Sequence, residues 1–339
     1  MRGSRAAVPA HPGPEAARAT AWGITALGME VWSPLPLLGA SRRAVAPKVR
    51  GAEVRVADSS GCTMPAGAAA EVVLERRHLD GSVGMRVCRR SEGSYLIEAP
   101  GYAEFEIAPD GDLITCDGLQ GSRVHWHRPL YAQALPLAAA LRGLEVLHAS
   151  AAVIDGRALA FVAPSGTGKT TLAIALVSRG AELLADDVVA VECVDGTVLA
   201  HPGVPTANVA LKQLQALPPA ARIRLGDPIA TGDKVQLALR SPRPRPAPLA
   251  AVVFLKRAAG IEQPALERRC PPDPIDLLAA TFMPHVASAA RLRAQLDLCA
   301  RVASTVPVFS LRAPLALPPH ELAAIAASAA VPDTLVNGR

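Results

Sequence analysis

A chain of 339 residues, half of them hydrophobic, is long enough for two domains with sizeable cores. Its 35 basic and 30 acidic residues give a formal net charge of +5, but they are spread along the chain with no Lys/Arg run interleaved with aromatics, which argues against nucleic acid as a partner. Six scattered cysteines (Cys62, Cys88, Cys116, Cys193, Cys270, Cys299) hold no C-x-x-C pair and so read as neither a disulfide framework nor a zinc pattern. No apolar run is long enough to span a bilayer and the N-terminal segment has no apolar signal core, so the expectation is a cytoplasmic protein with no membrane partner.

Residues 1–21 read as a disordered tail. From 22 to 143 the pattern is that of a β-rich accessory domain. "AEVRVA" (52–57), "EVVLE" (71–75), "SYLIEA" (94–99), "AEFEIA" (103–108) and "DLITC" (112–116) carry strand patterns, with "PDGD" (109–112) as a hairpin turn. "HWH" (125–127) would put His125 and His127 on one face of a strand, open to a metal or to an ordinary strand role. "PLYAQALPLAAALRG" (129–143) predicts a helix stopped by Gly143.

From 144 to 332 the pattern changes to alternating strands and helices, an α/β signature. "LEVLHASAAVIDGRALAFVA" is two apolar runs joined by Asp155-Gly156, a strong hairpin signal. If those two residues form the loop, paired positions sum to about 311 and His148 falls opposite Ala163. A helix is expected at 169–179, then a strand at 181–192. A polar, proline-rich excursion (226–248) precedes the strand 249–255. Helices follow at 273–282 and 287–303, then a strand at 306–311 and a last helix from Pro318.

"APSGTGKT" (163–170) fits the P-loop pattern with Ala163 in place of the first glycine. Gly166 and Gly168 let the backbone curl so that the N–H groups of Ser165 to Thr171 converge on phosphate oxygens. The following helix adds its positive end, and Leu172, Ala173, Leu176 and Val177 form that helix's apolar face. Lys169 can reach the β- and γ-phosphates and the Thr170 hydroxyl can ligate Mg²⁺. The nucleotide-binding set is therefore Ser165, Gly166, Thr167, Gly168, Lys169, Thr170 and Thr171, with ATP and Mg²⁺ as cofactors.

An apolar run then ends on Asp186-Asp187. Neighbours on a regular strand point to opposite faces, so both reach one site only where the strand ends and bends. Asp186 as proton acceptor from a hydroxyl and Asp187 as metal partner, with Thr170, would satisfy both needs of phosphoryl transfer. Alternatively, one of the pair is catalytic and the other turns the chain. His148 is either functional beside the phosphates or a structural strand histidine. Lys234, Arg243 and Arg245 could contact phosphate or acceptor, or be solvated loop charges.

In the order "LHAS" (147–150), "APSGTGKT", "SRG" (178–180) and "LADDVV" (184–189), the chain resembles the HPr kinase/phosphorylase family, bacterial kinases acting on a serine of the phosphocarrier HPr. The resemblance covers about 45 residues. It implies a P-loop kinase domain of the HPr kinase/PEP carboxykinase-like type at 144–332, with His148, Lys169, Thr170, Asp186 and Asp187 on family functional positions and Asp186 transferring the proton. It also makes a homo-oligomer plausible. "LAHPGVPTANV" (199–209) lacks the acidic residue found downstream in that family, so the implication does not extend to phosphorylase activity or to HPr itself. The chain is more similar to divergent HPr-kinase-like proteins, some of which work in lasso-peptide phosphorylation. The implied function is an ATP-dependent serine kinase acting on a protein or peptide. The alternative is an ATP-binding regulatory or assembly protein with little phosphoryl transfer. No N-K-x-D motif supports a GTPase.

Overall fold

The structure, a computed structural model, describes residues 20–44, 51–56, 70–117, 125–232, 234–240, 245–284 and 286–330. The expected tail lies outside these residues except for Thr20 and Ala21, which open the first strand. Cys62 and Arg243 also lie outside them. The other five cysteines are free thiols.

The chain is a mixed α/β protein built on large sheets. The first is nine-stranded, in the spatial order Ser41–Ala44, Thr20–Ala26, Met29–Ser33, Gly51–Val56, Leu113–Asp117, Ala103–Ile107, Tyr95–Ala99, Val83–Arg90 and Ala70–Arg77. The five strands read from sequence are all present. Thr20–Ala26, Ser41–Ala44 and Val83–Arg90, whose alternation glycines or arginines interrupt, were not anticipated, nor was the short strand Met29–Ser33. The hairpin at "PDGD" closes through Ala108 N–H to Leu113 O (2.9 Å) and puts Gly111 at φ +71°. A Cβ there would meet Ala138 O at 2.5 Å, so glycine lets this turn dock directly on the helix backbone.

The "HWH" expectation is corrected. Residues 125–126 form a turn and His127 begins a helix running to Leu141, widened to a π turn over Leu130–Ala134. His125 is exposed beside the Tyr102 ring. His127 is buried, with Nε2 3.2 Å from Pro36 O, so the two do not share a strand face. Proline at 129 favours the first turn of a helix over a continuing strand.

The second sheet runs Glu145–Leu147, Val189–Val194, Thr197–Ala200, Ala247–Ala258, Arg157–Val162, Ala149–Ile154 and Glu182–Ala185, with Val308–Pro314 also paired to Ala247–Ala258. Ala247–Ala258 pairs in parallel with both Arg157–Val162 and Val308–Pro314, whereas the hairpin strands are antiparallel. Along the strand that leads into the glycine loop, Leu159 and Phe161 enter one core, with Leu172, Leu176 and Leu322. Ala158, Ala160 and Val162 enter another, with Cys299 and Val302. Both faces are covered by helices, so the strand reads as a continuous apolar run. The helix Lys169–Ser178 is likewise buried at every position from Leu172 to Val177, because the helix Pro319–Ala327 packs on the side the sheet leaves open. The expected amphipathic face is thus only part of its buried surface. Phe161→Ala is expected to cost about 3–5 kcal/mol in urea unfolding, because the site is fully enclosed.

Two further differences concern loops. The excursion at 226–248 folds in part into a hairpin, Gly226–Thr231 with Lys234–Leu239, which joins Thr206–Ala210 in a three-stranded sheet. The run at 181–192 is two strands, Glu182–Ala185 and Val189–Val194, interrupted at the aspartates. A third core is shared by both halves of the chain: Phe105, Ile107 and Leu135 pack with Val146, Val188 and Phe282. Among the described residues, no helix is long and apolar enough to cross a membrane.

Candidate active site

Asp155 (φ +48°) and Gly156 (φ +78°) form the two-residue turn, and the ladder runs from Ile154↔Arg157 to Ala149↔Val162. Every pair sums to 311, as the sequence predicts. His148 sits just past the last pair, where its N–H bonds Ala280 O (2.8 Å). The turn therefore brings His148 to the mouth of the glycine loop.

In that loop Gly166 (φ +82°) and Gly168 (φ +110°) take left-handed conformations that a Cβ would strain, and Gly168 precedes the first residue of the helix. Lys169 is buried. Its Nζ lies 2.6 Å from Ala163 O, 3.4 Å from Pro164 O and 3.0 Å from His148 Nε2. An ammonium has no acceptor capacity, so His148 Nε2 must accept and Nδ1 must carry the proton. Nδ1 donates to Asp187 O at 3.1 Å, with Asp187 Oδ1 at 3.4 Å. The Phe282 ring stacks on the imidazole at 6.0 Å.

The aspartates differ in surroundings because the chain turns between them. Val188 N–H bonds Asp186 O (2.9 Å) and Asp187 takes φ +71°, a conformation that aspartate tolerates better than most residues. Asp186 is buried. Its Oδ1 accepts from Thr170 Oγ1 (2.6 Å) and Ser150 Oγ (3.0 Å), and its Oδ2 accepts from Asn208 N–H (2.9 Å). Asp187 is half exposed.

Burial pushes the Asp186 carboxyl above its ordinary value, against the pull of the Thr170 hydroxyl and the Asn208 amide. Burial also lowers Lys169, which the two aspartates oppose and Lys234 reinforces. His148 is lowered first by burial, opposed by Asp187, and lowered further by Lys169. For a histidine shifted down on folding, the unfolded chain takes up the proton first. Stability is therefore complete above the unfolded value near 6.5 and is lost as pH falls through it toward the folded value. Tm should drop on acidification from about pH 7.5 to 5.5, and His148→Gln should flatten that dependence.

Asp186, Asp187, Ser165 and Thr170 line a cleft of about 560 Å³. Leu27, Arg128 and Gln133 from the first half of the chain form one wall, and Thr231, Lys234 and Gln236 from the hairpin form another. Thr167 N–H closes the loop onto Pro164 O (3.3 Å), and Thr171 O accepts from Gln213 Nε2 (2.6 Å). Of the sequence-predicted residues, Ser165, Thr170, Asp186, Asp187 and Lys234 line this cleft, and hydrogen bonds tie Lys169 to His148 and His148 to Asp187. Arg245 is not part of this cleft.

Ser150, Asn208 and Phe282 were not anticipated. Ser150 had a signal, since it lies two residues beyond His148 in the same strand pattern. Asn208 contributes only its backbone, which no residue type reveals. Among the described residues, no group of three or more His, Cys, Asp or Glu side chains is arranged to hold a metal unaided.

No family model and no curated protein matches this chain. Among solved structures, the HPr(Ser) kinase/phosphatase from Coxiella burnetii is similar over 54% of this chain and 94% of its own, at 14% sequence identity and a TM-score of 0.29. A likeness at that TM-score adds nothing to the geometry described above.

Proposed function

We propose that this chain is an ATP-dependent kinase of the HPr kinase-like P-loop type, transferring the γ-phosphate to a serine-type hydroxyl of a protein or peptide. The observation that carries the reading is one cleft lined by Ser165 and Thr170 of the glycine loop, with a Thr170–Asp186 hydrogen bond of 2.6 Å and a half-exposed Asp187 held by His148.

The residues suit a magnesium-bound nucleotide. Thr170 donates its hydroxyl hydrogen bond to Asp186, which leaves its oxygen lone pairs for a hard cation. When bound, magnesium neutralises charge on the phosphate oxygens. The chain's own residues supply the rest. Loop N–H groups and Lys169 hold the phosphates, Asp186 orients Thr170, and Asp187 takes the acceptor's proton at its carboxylate.

This exchanges the roles read from sequence, where Asp186 was the base and Asp187 the metal partner. Asp186 is buried and already accepts three hydrogen bonds, whereas Asp187 faces the cleft with its carboxylate half exposed. The cleft, walled by both halves of the chain, has room for a serine on an extended segment.

The test is transfer from Mg-ATP into a library of serine-containing peptides, read by mass spectrometry, against the same library with alanine for serine. Phosphopeptides in the first library alone support the reading. A regulatory ATP-binding role is the second reading, favoured by the engagement of all three Lys169 donors by protein acceptors. It predicts binding without phosphopeptide.

A further inference from the structure

On the side of the glycine loop away from the aspartates stands an arginine that the site described above does not use. Arg257 lies near the carboxyl end of the strand Ala247–Ala258, three residues past Phe254, which pairs with Val162 at the start of the loop. The carboxyl ends of parallel strands are where open α/β sheets bind ligands. A Cβ built on Gly168 would lie 3.7 Å from Arg257 Nη1.

The rest of the guanidinium is fixed. Nε lies 3.4 Å from Pro314 O, and Nη2 lies 3.3, 2.6 and 2.8 Å from the carbonyls of Pro314, Leu315 and Leu317. Nη1 has no acceptor among the described residues, and no carboxylate there pairs with this half-buried charge. Three neutral carbonyls satisfy hydrogen bonds but do not neutralise a cation, so among the described residues the charge has no counter-ion. The donors left over are held in one orientation beside a loop whose own N–H groups favour anions, a pre-organised arrangement.

We infer that Arg257 is a phosphate-binding residue of the nucleotide site, gripping the non-transferred end of the polyphosphate chain while Lys169 serves the transferred end. The inference rests on the proposed nucleotide site. A purely structural Arg257, capping the 314–317 carbonyls, would leave Nη1 indifferent to ligand.

The experiment uses the wild-type full chain. Arginine labelling with phenylglyoxal is followed at peptide level, without ligand, with Mg-ATP and with magnesium tripolyphosphate. Protection of Arg257 by both ligands, several-fold or more, is the expected result. Protection by Mg-ATP but not by tripolyphosphate would move the contact to the nucleoside and overturn the assignment. Mg-ATP binding by calorimetry with no protection of Arg257 would overturn it while sparing the nucleotide site, and no Mg-ATP binding at all would overturn both. In parallel, Arg257→Gln should raise the Kd for both ligands about tenfold. If that variant loses its fold, the wild-type labelling decides alone.

Discussion

Replacing Asp187 with asparagine is expected to lower phosphoryl transfer by about 10²–10⁴-fold, the range of a general base, while Mg-ATP affinity and Tm stay close to wild type. The side chain is half exposed at the cleft, and its anchoring contact to His148 runs through its main-chain carbonyl, which asparagine retains. Asp186→Asn should behave differently. An asparagine amide can offer only one oxygen, so its NH₂ must face either the hydroxyls of Thr170 and Ser150 or the N–H of Asn208. Thr170 is then misoriented, and the Mg²⁺-dependent part of ATP affinity should weaken along with transfer. Calorimetry with and without Mg²⁺, beside single-turnover kinetics, separates the two variants. An Asp187→Asn enzyme with full activity, beside an Asp186→Asn enzyme that binds normally and transfers nothing, would restore the roles first read from the sequence.

Lys169→Met is expected to cost about 10²–10³-fold in transfer and to weaken Mg-ATP binding, because it removes a buried positive charge from the proposed phosphate site. It has a second, ligand-free signature. The Lys169 charge helps hold the His148 imidazole below its ordinary value, so removing it should raise the pH at which His148 titrates. NMR of the imidazole protons follows this directly. An unmoved His148 titration would mean that the Lys169–His148 contact does not exist in solution, and with it the assignment of the Nδ1–H tautomer.

Local chemistry was the legible part of this sequence. Asp155-Gly156 dictates a turn with two positive φ angles, and that turn alone fixes the ladder that carries His148 to the glycine loop. Gly166, Gly168, Lys169 and Thr170 match a phosphate-loop pattern, and the positive φ angles at both glycines are the part of it that the structure shows. The aspartate pair implied a bend, and the bend is there at Asp187. Interactions made by backbone or by distant packing were not legible. Asn208 serves through its N–H, and Phe282 reaches His148 from 134 positions away in the chain. Arg257 reads as an ordinary strand-end charge until the parallel register sets it beside Gly168. "HWH" was misread because its alternation is only three residues long, and the proline that follows selects a helix start.

The most direct measurement follows the γ-phosphate itself. Wild-type protein with γ-labelled Mg-ATP and the serine-containing library is quenched at intervals, and label is partitioned between phosphoserine and inorganic phosphate. The account predicts that label accumulates on serine, faster than it appears as free phosphate, and that the Asp187→Asn protein binds the same ATP but forms phosphoserine about 10²–10⁴-fold more slowly. Label found only in inorganic phosphate, or tight ATP binding with no label transferred at all, would contradict it.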